Sequence, residues 1–391
     1  GILYINKEKK VSFTINQSRG LVNNTVLSLF EDIDENVWLG LDNGISNINF
    51  NVPFRVYKDD LGVLGSVYTT FLDDGVLYLG TNQGLFYKDK KDRFRFVPGT
   101  EGQVWSLQKF KNTLFCGHDK GIFIISKGKA DRISNTFGTW LIKEISGKED
   151  LLLLGNYKGL YVLQNKSKKW NLRNKIKGFD ISSRYLEFIS PNELLVSHEQ
   201  KGVFQLKIDN EFKEVLSSSK TTLRKSIKSS LNKYNNKVLY GSNEGVFYFD
   251  SLSSNFKKDT ILSTIFGDKG YISGKLISEN NKLFAFTNDN ISYVQKEKLS
   301  PKYELFSIPI PNSDRETKDG YENILYIEDD KYIIGTKSGY IVADIKTRTK
   351  NTQIIKLDEI TTNSLQGGQK YLSLSENGVL KNEENDIKFF Y

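Results

Sequence analysis

Imidazole and thiol chemistry in this chain is confined to His118, His198 and Cys116, its two histidines and single cysteine. Such a set is too small for a His/Cys-rich metal centre, and one cysteine forms no internal disulfide. Cys116-Gly117-His118-Asp119 has the residue types of a nucleophile–base pair. A working pair needs a base and an orienting group converging on the thiol. Cys116, however, takes a place that Leu, Tyr or Ile holds in sister segments, which marks it as core. His198 falls in the turn of another such segment. No G-x-S-x-G elbow, H-E-x-x-H helix, phosphate-binding loop or sialidase-type Ser-x-Asp-x-Gly-x-Thr-Trp box occurs. The paired carboxylates Glu31-Asp32 end a strand and read as a turn element. No catalytic residue, metal or cofactor is expected.

A different chemistry recurs at intervals of roughly 40 residues. Tyr68, Trp105, Trp140, Arg184, Tyr185, Lys228, Tyr271, Tyr321 and Asn323 are rings, cations and amides at comparable places in successive segments. Aromatic faces around a concave mouth suit sugar rings, whose C–H faces pack on them while hydroxyls reach nearby polar groups. The plainer reading is that half or more of these rings pack one segment against the next.

The elements that must position them form a repeat. An apolar strand ends near a glycine, about three mostly polar residues turn the chain, and a glycine opens a second apolar strand. Leu77-Tyr78-Leu79-Gly80 then Gly84-Leu85-Phe86, Leu152-Leu153-Leu154-Gly155 then Gly159-Leu160-Tyr161, and Val238-Leu239-Tyr240-Gly241 then Gly245-Val246-Phe247 are clear copies. The anchors are Gly1, Gly44, Gly84, Gly121, Gly159, Gly202, Gly245, Asn290, Gly339 and Gly378, a period of about 42 residues that identifies a β-propeller with one four-stranded blade per repeat. Each hairpin is preceded by an innermost strand, as at 25–32, 66–72, 104–110, 140–145, 185–189, 229–234, 273–278, 323–328 and 364–369. It is followed by an outer one, such as Phe94-Arg95-Phe96 or Trp170-Asn171-Leu172. The ring and cation residues then line up at the start of the innermost strands, around a central funnel.

Composition narrows the partners. The net charge is +8, but Lys and acidic residues alternate throughout, and only 220–233 holds a local basic excess. That segment reads as a solvated face rather than a nucleic-acid site. No apolar run approaches the roughly 18 residues that span a bilayer.

Residues 20–32, Gly-Leu-Val-Asn-Asn-Thr-Val-Leu-Ser-Leu-Phe-Glu-Asp, continue through Asn36-Val37-Trp38-Leu39-Gly40-Leu41-Asp42-Asn43-Gly44-Ile45. This stretch resembles the two-component regulator propeller repeat, G-L-S-x-N-x-V-x-x-I-x-E-D-x-x-G-x-[IL]-W-[IL]-G-T-x-x-G-[IL]. Val22 replaces the usual Ser, Glu35-Asn36 the usual turn pair and Leu41 the usual Thr; later copies keep only the hairpin half. The resemblance implies tandem seven-bladed propellers in the periplasm of Bacteroidetes-type bacteria, followed by a triple-tyrosine β-sandwich, a membrane helix and a kinase or helix-turn-helix output. On that pattern residues 1–96 are the last blades of a first propeller, 97–382 a seven-bladed propeller, and 383–391 the start of the sandwich. A single larger propeller is the rival partition. The implied role is ligand sensing for transcriptional regulation. The ligand would be a glycan or other small molecule, a homodimer is left open, and membrane contact arises only through segments outside this chain. The alternatives are a propeller-fold polysaccharide lyase or glycosidase, with Tyr271 or Tyr321 beside Lys275 as base and charge neutraliser, and a protein-interaction scaffold.

Overall fold

The computed structural model describes residues 1–346, except 7, 51, 60, 61, 91, 92, 268, 269 and 298–301. It also describes 359–364, 368–373, 380 and 386–390. The chain divides into two units, Gly1–Thr347 and Arg348–Tyr391.

Seven four-stranded antiparallel sheets, each paired in simple order, occupy most of the first unit. Blade 1 is built from Val67–Asp73, Val76–Thr81, Leu85–Lys88 and Phe94–Phe96. Blade 2 runs from Val104–Phe110 to Lys129–Ser134, and blade 3 from Thr139–Ile145 to Lys169–Lys175. Blade 4 runs from Tyr185–Ser190 to Val215–Lys220, and blade 5 from Ser230–Tyr234 to Asn255–Asp259. Blade 6 runs from Ile277–Glu279 to Tyr303–Ile308. Blade 7 takes Ile324–Glu328, Lys331–Thr336 and Gly339–Asp344 from the end of the ring. Its outer strand is Phe54–Lys58, which precedes blade 1 in the chain and pairs antiparallel with 339–343.

That borrowed strand closes the ring. Val67, Leu79 and Phe86 of blade 1 share a core with Ile333 and Tyr340 of blade 7. The propeller therefore runs from Phe54 to Asp344 rather than over 97–382, and seven blades complete a circle, which excludes the single larger propeller. The expectation counted hairpin anchors correctly but began one repeat late, because the pairing of 54–58 with 339–343 is long-range. The anchor Gly378 lies outside the described residues.

Apolar cores lie between blades. Phe115 and Ile122 of blade 2 meet Leu152 and Leu154 of blade 3, while Leu153 turns the other way to Leu194 and Val196 of blade 4. A strand covered on both faces needs such a continuous apolar run.

Before the propeller, Ile2–Ile5 pairs with Val11–Ile15, and Val26–Glu31, Val37–Leu41 and Gly44–Ile48 form a three-stranded sheet. The two sheets share Ile2, Ile15, Leu39 and Leu41. The other face of the larger sheet exposes Phe30, Trp38 and Ile45. In the second unit, Glu359–Ser364 sits between Gly368–Leu372 and Asp386–Phe390. The expected strand over 364–369 is thus divided, Ser364 ending one strand and Gly368 opening the next. The expected terminal strand exists and pairs with 359–363.

One glycine position decides how closely blades approach. A Cβ on Gly117 would strike the Thr139 carbonyl oxygen of the next blade, and one on Gly155 the Ser183 carbonyl oxygen. At the equivalent Gly40 only the Ser28 side chain of its own sheet stands in the way. Gly155→Ala should cost about 1–3 kcal/mol because backbone cannot yield. Gly40→Ala should cost clearly less, since a hydroxyl rotates aside. Urea unfolding midpoints of the two variants measure the difference.

Candidate functional site

The innermost strands start with a shared irregularity. Their register shifts between Val67 and Thr69 in blade 1, between Val104 and Ser106 in blade 2, and between Thr139 and Leu141 in blade 3. The extra residue at each bulge is Tyr68, Trp105 or Trp140, released from the ladder at the rim of the axis. Each stands two residues before a core pair: Thr70 with Leu79, Leu107 with Cys116, Ile142 with Leu154. The same count from Leu186–Val196, Leu231–Tyr240 and Ile324–Ile334 gives Arg184, Ser229 and Glu322, and from Leu276 it gives Gly274. One ring of positions is thus aromatic over three blades, cationic at the fourth, and small or acidic over the rest.

Side chains close the mouth instead of lining an open funnel. Tyr68 stacks on Trp105 at 5.6 Å and meets Tyr321 at 4.5 Å. Trp105 contacts Trp140 at 4.6 Å, and Trp140 contacts Tyr157 at 4.9 Å. Tyr321 reaches across the axis to Trp105 of blade 2, and the Arg184 guanidinium of blade 4 lies 4.1 Å from its ring centroid. Arg184 donates to the Gly320 carbonyl, as does the Tyr185 hydroxyl at 3.2 Å. The Trp105 indole donates to the Tyr157 hydroxyl at 3.1 Å and the Trp140 indole to Ser182 at 3.0 Å. Tyr68 is buried, while Trp105, Trp140, Tyr157 and Tyr321 keep part of their surface in solvent.

The remaining expected residues have structural partners. Asn323 donates to the Val67 carbonyl at 3.1 Å and accepts from the Gly335 amide, tying blade 7 to blade 1. The Tyr271 hydroxyl donates to the Lys228 carbonyl at 3.2 Å, and Lys228 pairs with Asp319. Beside the mouth a polar pocket of about 340 Å³ is lined by Lys228, Tyr271, Asn288, Arg315, Asp319 and Lys337. Arg315, 2% exposed, staples the loop between blades 6 and 7 by donating to the carbonyls of Ile310, Thr287 and Asn288.

Sequence reasoning missed Tyr157, Ser229 and Glu322, and weighed Lys275 only as a lyase partner. Glu322, 1% exposed, accepts from the Gly320 amide through Oε1 at 3.0 Å, while its Oε2 has no hydrogen-bond partner among the described residues. Ser106, Thr139 and Asn156 also hold buried side-chain polar atoms without hydrogen-bond partners among the described residues. Burial brings the Lys275 amine down to about 8, against the opposing pull of Glu322 and with help from the positive field of Arg184. Burial alone would lower Arg184 too, but Tyr185, Tyr321, Glu199 and Glu322 outweigh it and hold the guanidinium charged. Burial pushes the Tyr185 and Tyr157 phenols up to about 12, so both remain neutral at physiological pH.

His118 and Cys116 take no part. The Cys116 thiol is fully buried and pushed up by desolvation. His118 accepts the Lys120 amide at Nδ1, which leaves Nε2–H to donate to the Thr100 carbonyl at 3.1 Å. His198 accepts the Gln200 and Lys201 amides in the same manner. Both are turn caps, the role that Thr81 performs in blade 1.

No protein-family model matches the chain, and no curated protein does. Solved structures do. The extracellular domain of BT3049 from B. thetaiotaomicron, described as a hybrid two-component system, aligns with a TM-score of 0.64 at 14% identity, covering 91% of this chain and 51% of that one. The extracellular domain of BT4673 from the same organism, described as a one-component system, aligns at 0.56 and 14% identity over 98% of this chain and 55% of its own. At such identity the likeness is one of fold, a β-propeller. The neighbours are of the kind whose repeat residues 20–45 resemble. The chain spans about half their length.

Stability should report the Lys275 environment. Free lysine titrates near 10.5, so between about pH 8 and 10.5 the unfolded chain binds the extra proton and stability rises with pH. Above about pH 10 the buried phenols reverse the slope, because folded Tyr185 and Tyr157 keep protons that unfolded tyrosine releases. Lys275→Met should remove the rising limb and stabilise the fold at pH 7 by on the order of 2 kcal/mol. Thermal melts of both proteins from pH 7 to 11 check this.

Proposed function

We propose that this chain is the ligand-sensing propeller region of a transmembrane transcriptional regulator, held on the periplasmic side, and that it recognises a glycan or a glycan fragment at the mouth of the propeller. The observation that carries the reading is the partly exposed platform of Trp105, Trp140, Tyr157 and Tyr321, clamped by Arg184 and flanked by a polar pocket. Flat rings with hydrogen-bonding groups at their edges match the two-sided chemistry of a sugar. The resemblance of residues 20–45 and the fold of the extracellular neighbours support placing it in a sensor.

The reading is non-enzymatic. A lyase needs a base near its operating pH, whereas the Tyr271 phenol is pushed far up by burial and donates to a carbonyl. Turnover of any polysaccharide by the purified chain would overturn this part. A scaffold reading predicts binding to protein and none to oligosaccharide.

Signal transfer should be a matter of rigid modules. Opening one blade exposes interblade apolar surface at ~25 cal/mol per Å², and a ligand shifts an equilibrium only by its differential affinity for two states. Ligand should therefore change module angle or dimer affinity, read by small-angle scattering. Hydrogen exchange within 152–154 and 238–240 should stay unchanged.

Affinity should track the platform. Trp140→Ala should weaken binding at least about tenfold. Trp170→Phe, altering a buried ring packed edge-on against Phe115, should leave it within about twofold. Calorimetric titration of oligosaccharides from a binding screen compares the two.

A further inference from the structure

We infer that the polar pocket beside the mouth, together with the basic loop that runs into it, holds an anionic group of the glycan, so that the recognised sugar carries a carboxylate or a sulfate. This rests on the glycan reading above and adds to it the charge of the recognised unit and the residues that select it.

The pocket, of about 340 Å³, has room for a single sugar unit. Lys228 leads into the innermost strand of blade 5, Asn288 belongs to the hairpin turn of blade 6 and Lys337 to that of blade 7. The loop between blades 6 and 7 completes the wall with Asn312, Arg315 and Asp319. The basic stretch of the sequence ends here. The Tyr240 hydroxyl donates to the Arg224 carbonyl at 3.5 Å and the Tyr271 hydroxyl to the Lys228 carbonyl at 3.2 Å. These bonds hold the loop carrying Arg224, Lys225 and Lys228 against the blades that form the pocket.

Cations here outnumber the carboxylates that serve them. Lys228 pairs with Asp319, Lys337 with Glu316 at 2.7 Å, and Arg224 with Glu244 at 3.9 Å. Among the described residues no carboxylate lies within 4.0 Å of Lys225, Lys318 or Arg315. Lys225 and Lys318 are exposed, so water solvates them. Arg315 is 2% exposed, and its guanidinium donates to the carbonyls of Ile310, Thr287 and Asn288. Exposed Asp289 acts on it only from beyond ion-pair range. Carbonyls satisfy N–H groups but do not neutralise the charge, and a charge held out of water is costly without a counter-ion. An anion in the pocket that Arg315 lines supplies one.

The rest of the lining can receive such a group at small cost. The ion pairs of Lys228 and Lys337 are about half exposed, and pairs of that kind contribute little. Either ammonium can share its donors with an incoming oxyanion. Asn288 and Asn312 are exposed, and among the described residues their carboxamides make no hydrogen bond, which leaves N–H donors for carboxylate or sulfate oxygens. The anion arrives attached to a sugar because platform and pocket share a loop. Lys318 lies 5.1 Å over the Tyr321 ring, and its chain neighbour Asp319 lines the pocket. A sugar stacked on the platform therefore directs its next unit toward the cations.

The test uses an immobilised array of neutral, uronic-acid-containing and sulfated oligosaccharides with the wild-type chain, the double variant Lys225→Gln/Lys228→Gln, and Lys129→Gln, which removes a charge from the outer strand of blade 2. The inference predicts that acidic glycans are retained at least about tenfold more strongly than neutral ones. The double variant should lose that preference and Lys129→Gln should keep it. Whichever acidic class is retained identifies the group as carboxylate or sulfate. Neutral glycans retained as well as acidic ones, or an acidic preference untouched in the double variant, overturns the subsite and leaves the glycan reading standing. A second arm reads the pocket without an oligosaccharide. The 13C-methylated amines of Lys228 and Lys129, assigned by their loss in Lys228→Gln and Lys129→Gln, are followed by NMR during titration with sodium sulfate and sodium glucuronate at constant ionic strength. A blank array with a saturable shift at Lys228 and none at Lys129 supports the anion site and removes the glycan reading. A blank array with Lys228 unmoved, or moving no more than Lys129, overturns both.

Discussion

The contact on which this molecule depends is the meeting of a glycine in one blade with the residue that opens the innermost strand of the next, or leads into it. Gly117 abuts Thr139, Gly155 abuts Ser183, Gly241 abuts Gly274 and Gly335 abuts Val67, each so closely that a Cβ would collide. Blades packed that tightly at the axis leave no space for large side chains within the ring. The bulky residues at the start of each innermost strand are displaced to the mouth, where bulges in blades 1 to 3 free Tyr68, Trp105 and Trp140 from the ladder. Scaffold tightness and site richness have the same cause. Phe286 takes the glycine's place in blade 6 and is buried with Ile324 and Ile334 of blade 7.

The mouth is divided. One side is a continuous set of rings bridged by Arg184 and Tyr321, and the other is small, polar and charged, with Ser229, Gly274, Lys275 and Glu322. The loop between blades 6 and 7 joins them, since Asp319, Gly320 and Tyr321 receive Lys228, Arg184 and the platform in turn. Arg315 fixes that loop through three backbone carbonyls. A rigid ring with a single bridging loop over its mouth places specificity in a few side chains while the blades stay constant.

How far the sequence reveals this depends on the range of each constraint. Hairpins such as Leu152 to Tyr161 are legible because a turn glycine and two apolar runs are local signals. The outer strand 54–58 is not, because its partner 339–343 lies far along the chain and nothing in Phe-Arg-Val-Tyr-Lys marks that choice. Tyr68, Trp105, Trp140 and Arg184 are found by lining up repeats. Glu322 and Ser229 are missed because bulges in only some blades shift the alignment by one residue, so that Tyr321, Asn323 and Lys228 are taken instead. Counting two residues back from the apolar residue that opposes the second strand would have recovered them. Tyr157 belongs to a different loop and carries no signal in the innermost strands.

The central claim is that the closed mouth, and not the outer rim of the blades, is where ligand is read. The most direct measurement is a crystal structure of the chain soaked with an oligosaccharide that it binds in solution. The account predicts density for a sugar ring stacked over Trp105, Trp140 or Tyr321, with Arg184 among its contacts. Density confined to the outer strands, with the mouth unchanged, would contradict it.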